Sequence, residues 1–254
     1  MIIIISPAKT LDFSKQDKLG KYTLPVFLEQ SKVLMDELKK ISPNGIMKLM
    51  KVSSKLAYLN YNRFQEWHLP FSTENSKQAL LAFKGEVYTG INVDSYNNDD
   101  INFAQEHLRI LSGLYGFLRP LDLIQAYRLE MGTSLKTKNR NGLYEFWGNK
   151  ITDLLNKEFN SRSDVLINLA SNEYFKVVRK DLIKAKIITP VFKEYKNGTY
   201  KFLSVYGKKA RGLMVSYIIK NKIHNHEKLK LFDTDGYYFN DRLSNEHEWV
   251  FTRG

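Results

Sequence analysis

The stretch Leu-Arg-Ile-Leu-Ser-Gly-Leu-Tyr-Gly-Phe-Leu-Arg-Pro-Leu-Asp, residues 108–122, can be folded in two ways. As a strand, Arg109 to Leu114 is a buried apolar run ending in a glycine-containing turn, with Arg119 in a salt bridge. As a helix–hairpin–helix element, Gly113 and Gly116 let the backbone turn tightly and present its amides to a phosphate, with Arg109 and Arg119 beside them. Such an element holds a sugar-phosphate backbone without reading bases. The stretch by itself favours the strand, because glycine marks turns of every kind.

Working outward, Met1 to Ile5, with its run of four β-branched isoleucines, reads as a strand buried on both faces, ended by Ser6-Pro7. The loop from Ser6 to Asp12 then lies at that strand's carboxyl end, a common place for functional loops in α/β sheets. Apolar spacing predicts a helix over Pro25 to Lys40, another opening at Ser42-Pro43, and a third over Ser53 to Trp67. Leu80 to Thr89 fits either helix or strand. Asn98 to Leu108 reads as a helix capped by Asn98 or Asp99.

Downstream, the pattern predicts a short strand over Met131 to Thr137 and a helix over Glu145 to Phe159. A buried strand over Val165 to Ala170 leads into a helix capped by Ser171. Ile187 to Lys196 and Thr199 to Tyr206, joined by Asn197-Gly198, form the clearest hairpin. A helix over Lys208 to Lys222 and strands at Leu229 to Phe232 and Trp249 to Thr252 complete the chain. The interleaving predicts a mixed α/β (α+β) fold, one compact domain over residues 1–254. It has a mixed central sheet and a helical lobe near residues 20–80.

Composition narrows the function. The 39 Lys+Arg against 27 Asp+Glu leave a formal charge of +12, which attracts polyanions, and nucleic acid is the commonest of these in a cell. The many Asn, Lys and Ile residues fit a second source of that charge, the proteome-wide bias of an AT-rich organism. With no cysteine, disulfides, thiolate zinc sites, iron–sulfur ligation and thiol redox switches are excluded. No stretch approaches the ~20 apolar residues of a membrane span, and the Ile2–Ile5 run is too short for a signal-peptide core. The expectation is a cytoplasmic protein that engages no membrane.

Cationic residues gather beside glycine or proline in several loops. Lys9 follows Pro7; Arg128 and Glu130 precede Gly132; Lys208, Lys209 and Arg211 lie between Gly207 and Gly212 at the opening of a helix, a plausible phosphate site. The Walker A spacing is absent, as are a Gly-x-Ser-x-Gly elbow and a calcium loop in the acidic run Asp94 to Asp100. His224 and His226 beside Glu227 lack a third ligand nearby, so no metal or cofactor is indicated. Lys9, Arg128, Glu130, Asn172 and Lys208 all fall at strand ends or loops. If they converge, a Glu130–Lys pair could do acid–base work on a phosphorylated substrate.

Taken together, Ser-Pro-Ala-Lys-Thr-Leu-Asp (6–12), Phe-Lys-Gly-Glu-Val-Tyr (83–88) and Leu-Ser-Gly-Leu-Tyr-Gly-Phe-Leu-Arg-Pro-Leu-Asp (111–122) resemble the YaaA peroxide-stress protein family. So do Tyr-Arg-Leu-Glu-Met-Gly (127–132), Leu-Tyr-Glu-Phe-Trp (143–147), Leu-Ala-Ser-Asn-Glu-Tyr (169–174), Tyr-Gly-Lys-Lys-Ala-Arg-Gly (206–212) and Gly-Tyr-Tyr-Phe-Asn (236–240). These blocks run in order along the whole chain. The resemblance implies a bacterial cytoplasmic protein that protects DNA and proteins from hydrogen peroxide by limiting free intracellular iron. It also implies a positively charged cleft and a helix–hairpin–helix motif for duplex DNA, which glycine spacing would place at Gly113 to Pro120.

Two functional expectations follow. In the first, a non-enzymatic protein binds double-stranded DNA, bent or distorted forms included, with no obligate protein partner. The contacts would come from Lys9, Arg109, Gly113, Gly116, Arg119, Arg128, Asn172, Lys208, Lys209 and Arg211. In the second, an enzyme acts on a nucleotide or nucleic acid with Glu130, Lys9 and Lys208 as its working groups. An open groove wide enough for a duplex favours the first; a deep pocket with a buried Glu130–Lys contact favours the second.

Overall fold

Ile2–Ile5 (β1) lies mid-sheet, and none of its isoleucines is more than 5% exposed. Apolar side chains on both faces need cover on both faces, which parallel α/β sheets supply. The computed structural model describes residues 1–14, 20–138, 140–159 and 164–254. In chain order the main sheet continues through Leu108–Ser112 (β2), Gly116–Leu118 (β3), Val165–Leu169 (β4), Lys186–Lys196 (β5), Thr199–Lys201 (β6), Tyr238–Phe239 (β7) and Glu248–Arg253 (β8). Across the sheet the order is β7-β8-β5-β4-β1-β2-β3, with β6 pairing to β5. Strands β8, β5, β4, β1 and β2 run parallel, while β3, β6 and β7 pair antiparallel with β2, β5 and β8. The expected mixed fold is the observed one.

Residues 108–118 take the strand reading. Leu111 pairs with Phe117 and Ser112 with Gly116, so Gly113 to Pro120 is a β-hairpin and its continuation rather than a helix–hairpin–helix. Its glycines face inward. A Cβ at Gly113 would lie 2.2 Å from the Leu129 carbonyl oxygen, and one at Gly116, at φ +68°, 2.7 Å from the Trp147 ring. The turn's polar groups bond internally: Ser112 Oγ accepts from the Tyr115 amide at 3.0 Å, and the Gly113 carbonyl accepts from Trp147 Nε1 at 3.0 Å. Both glycines are required for close packing, and neither presents an amide to a ligand.

Helices Leu28–Leu38 (α1), Pro43–Met50 (α2) and Ser54–Glu66 (α3) make up the helical lobe, which spans less than the expected 20–80. Ser42 and Ser53 cap α2 and α3 through their hydroxyls. The segment Leu80 to Thr89 mixes both states, a two-residue strand followed by Glu86–Ile91 (α4). Asn98–His107 (α5) is capped by Asn97, one residue earlier than expected, with Asp100 returning the bond. The helix expected from Glu145 breaks at Gly148, φ +49°, into Leu143–Trp147 (α6) and Lys150–Lys157 (α7). Asn172–Phe175 (α8) follows β4. The last long helix, Ser204–Lys220 (α9), starts a turn earlier than expected and absorbs the end of the predicted hairpin strand. The expected strand at Leu229 to Phe232 is a 3₁₀ turn, because Leu229 and Phe232 anchor at helical spacing.

Arg109 is a structural cation, not a surface contact. It is 2% exposed and bonds Glu158 at 2.7 Å, with the Gln105, Glu106 and Leu108 carbonyls taking the remaining protons of its two terminal nitrogens. Arg119 reaches the other Glu158 oxygen at 3.3 Å. Burial pushes the Glu158 carboxyl up, but the two guanidiniums outweigh it and hold it below the usual glutamate value of 4.5. Replacing Glu158 by Gln leaves Arg109 buried without its acid and should lower stability by about 3 kcal/mol near neutral pH. A lowered carboxylate pKa gives stability that is present above the unfolded-state value and lost as pH falls through the folded one. The gap between the urea midpoints of wild type and Glu158→Gln should therefore narrow as pH falls below the ordinary glutamate value of 4.5 and close as it passes through the lowered folded-state value. A gap as wide at pH 3 as at pH 7 would refute this.

Candidate functional site

After β1 the chain crosses to β2 on one side; after β4 it crosses to β5 on the other. Loops leaving adjacent parallel strands in opposite directions open a crevice at their carboxyl ends. Here that crevice is a cavity of about 440 Å³. Its walls are the Ser6–Thr10 loop, the segment Lys84–Tyr88, the end of β4 with Ser171, Glu173 and Tyr174, and Lys208 and Arg211 from α9. A narrower cleft between Pro7–Lys9 and Tyr127–Glu130 adjoins it at Lys9 and Tyr174.

The two strand-end loops are tied together at the base. Ser6 Oγ accepts from the Ser171 amide at 2.9 Å and donates to Ser171 Oγ at 3.2 Å. Tyr88 donates its hydroxyl to the Ser6 carbonyl at 3.2 Å. Glu130 Oε1 receives Arg128 at 2.8 Å and Lys9 at 2.9 Å. Glu130 is 17% exposed and Lys9 66%, so the glutamate sits in the wall and the lysine swings from the rim. Burial pushes the Tyr88, Tyr127 and Tyr174 hydroxyls well up, so they are neutral donors throughout the physiological range. Lys84 pairs with Asp12, whose carboxyl that contact holds below the usual range.

Arg211 and Lys208 differ from these paired cations. Neither has a carboxylate or hydrogen-bond partner among the described residues, and Arg211 lies 5.9 Å from the Phe202 ring. Burial alone depresses the Arg211 pKa, with no acid nearby to oppose it. A desolvated guanidinium without a counter-charge favours an incoming anion.

The structure brings together Lys9, Arg128, Glu130, Lys208 and Arg211 and leaves the other expected contacts elsewhere. Lys209 points off the crevice toward Asp235 at 3.8 Å. Asn172 lines a separate depression with Lys176 and Arg179, while its neighbours Ser171 and Glu173 face the crevice. Arg109, Gly113 and Gly116 are interior, and Arg119 is committed to Glu158. His224 packs against Phe103 and His107, and His226 stacks on Trp249. Among the described residues no His, Cys, Asp and Glu side chains cluster as a metal site, and no helix is long and apolar enough to cross a membrane.

The family described as "Peroxide stress protein YaaA" matches residues 1–243. The chain belongs to the YaaA family. Curated relatives named UPF0246 proteins are similar over all 254 residues: one from Colwellia psychrerythraea at 53% identity and one from Saccharophagus degradans at 54%, each covered over 99% of its length. One from Ralstonia pickettii is 53% identical over the same span.

Several crevice residues of this YaaA-family chain carry no chemistry-bearing signal of their own. Ser6, Lys84, Tyr88, Ser171, Glu173 and Tyr174 lie within the family-like blocks 6–12, 83–88 and 169–174, which was the available hint. Their convergence depends on α9 lying hard against α4. A Cβ at Gly212 would sit 1.9 Å from the Val87 carbonyl oxygen, and one at Gly90 2.3 Å from that of Lys209. Alanine normally favours a helix by about 1 kcal/mol over glycine, so Gly212→Ala tests the contact cleanly. The clash should prevail, destabilising by about 2 kcal/mol or more. Thermal melting should show a midpoint lowered by several degrees, and a raised midpoint would refute the packing.

Proposed function

We propose that this YaaA-family protein acts in the cytoplasm during peroxide stress by gripping nucleic-acid phosphates in the crevice at the ends of β1 and β4. The observation that carries this reading is the pair Lys208 and Arg211, two cations at one cavity that are paired with neither Glu86 nor Glu173 of its lining nor with any other carboxylate among the described residues. Phosphate is the common cellular anion that rewards such a pair, and at the rim Lys9 and Arg128 share the one carboxylate of Glu130, which leaves a further net positive charge there. The overall charge of +12 adds long-range attraction. Contacts of this kind recognise the backbone, so binding is weakly dependent on sequence. DNA so covered is shielded from iron-generated oxidants; an effect on iron itself would then be indirect.

Titration of labelled duplex DNA, followed by fluorescence anisotropy at several salt concentrations, tests the reading. Affinity should fall steeply with salt, and Lys208→Ala and Arg211→Ala should each reduce the slope by roughly one while weakening all sequences alike. Binding that ignores both salt and these substitutions would refute the assignment.

A second reading has its own observation. The crevice is of small-ligand size rather than an open duplex groove, and Glu130, in the wall of the narrow cleft that adjoins it, contacts Lys9 at the shared rim. An enzyme that turns over a nucleotide or nucleic acid is the consequence. Incubating mononucleotides and oligonucleotides with wild type and Glu130→Gln, with products separated by chromatography, decides it. Turnover that Glu130→Gln lowers by about 100-fold or more would establish catalysis; no product from any substrate would leave the crevice as a binding site.

A further inference from the structure

Strand β5 outruns its neighbour. Its register with β4 places Ile167 beside Ile188, and β4 ends at Leu169, yet β5 continues to Lys196. At Glu194 one edge of β5 is already taken by Arg253 of β8, so β6, which pairs with Glu194–Lys196, must lie on the other edge. That edge is the side of β4, beyond its end. The β5–β6 hairpin therefore projects past the sheet, flanking the loop that follows β4.

Register assigns the faces of this projection. Phe192 and Glu194 point to the α9 side, where Phe192 stacks with Phe251 and Glu194 bonds Tyr237 and Arg253. Lys193 and Tyr195 point the opposite way, since alternate residues of a strand face opposite sides. Tyr200 is paired with Tyr195, and Tyr238 joins Lys193 through Thr252, so these side chains share that second face. Tyr195, Tyr200 and Tyr238 are 53%, 37% and 63% exposed. A folded chain ordinarily buries aromatic rings at least in part.

The charge around them is one-sided. Residues 186–202 contain four lysines and a single acid, Glu194, which is turned to the other face and neutralised there. Of these lysines register puts Lys193 on the tyrosine face and Lys196 and Lys201 on the face of Glu194, and none of the three has a carboxylate partner among the described residues. Tyr195 and Tyr238 are roughly 12 Å apart by strand spacing and rise, more than enough for each ring to hold its own base. Exposed rings beside an unpaired lysine, with further lysines at the hairpin's edge, are the chemistry by which proteins stack unpaired bases while attracting their backbone.

We propose that this face, carrying Tyr195, Tyr200 and Tyr238 with Lys193, is a stacking platform for the unpaired bases of a single-stranded or locally opened nucleic acid. It is separate from the crevice and does not require the phosphate grip there, although Phe202 beside Arg211 brings the two surfaces close.

Photocrosslinking of the full chain to an oligonucleotide bearing 5-iodouracil, with adducts mapped by mass spectrometry, tests the platform directly. Adducts are expected on Tyr195, Tyr200 or Tyr238. In parallel, the Kd for a single-stranded thymidine oligomer should rise about tenfold or more in Tyr195→Ala/Tyr238→Ala and stay within about twofold in Tyr195→Phe/Tyr238→Phe. Lys208→Ala/Arg211→Ala should leave the adducts in place, which separates the failure of one surface from that of the other. Adducts confined to other residues, unchanged affinity in the alanine pair, or no single-strand binding by wild type at low salt would each overturn the platform. A concentration-dependent dimer in sedimentation that the alanine pair dissolves would also overturn it, assigning the face to a second copy of the chain.

Discussion

Parallel pairing on both edges of β1 is the constraint from which the rest of the molecule follows. Ile3 and Ile5 pair with β4 and β2 at once, and none of the β1 isoleucines has appreciable contact with water. A strand paired on both edges cannot shift register without breaking two hydrogen-bond ladders at once. Its carboxyl end is thereby held beside that of β4. Because the connections then diverge, the loops Ser6–Thr10 and Ser171–Tyr174 face one another across a gap that no strand can fill.

Cations in this protein are of two kinds, separated by whether a carboxylate holds them. Arg109 is dehydrated and its terminal nitrogens are held by Glu158 and three backbone carbonyls, so it organises the edge of the sheet and lies out of a ligand's reach. Arg128 is likewise held by Glu130. Lys208 and Arg211 lie on a helix whose seat against α4 leaves room only for glycine at positions 90 and 212, and they face the crevice without acids of their own. Close backbone packing is what aims them there.

The fold was largely legible in the sequence, and the site only in part. β1, β4, the three N-terminal helices and the Asn197-Gly198 turn follow from apolar period and turn chemistry, which act over a few residues. The errors have physical causes. Leu229 to Phe232 reads as a strand by its apolar content, but its ends pack at helical spacing. The helix expected from Glu145 breaks at Gly148, whose positive φ a local pattern does not reveal. Lys9, Arg128, Glu130, Lys208 and Arg211, which the structure brings to the candidate site, were legible because they sit beside glycine or proline at element ends. Arg109, Gly113 and Gly116 looked equivalent and are not, since whether a cation or an amide meets water depends on what packs over it.

By itself the sequence determined the mixed α/β class, the family, the absence of thiol chemistry, and the loops from which a site would be built. These rest on composition and on contacts between near neighbours in the chain. The tertiary structure decided that residues 108–118 form a buried hairpin, that Glu158 claims Arg109 and Arg119, and that Lys208 shares a cavity with Ser6 and Tyr174. Each of those outcomes depends on groups tens to hundreds of residues apart competing for burial and charge, and no local pattern encodes the winner.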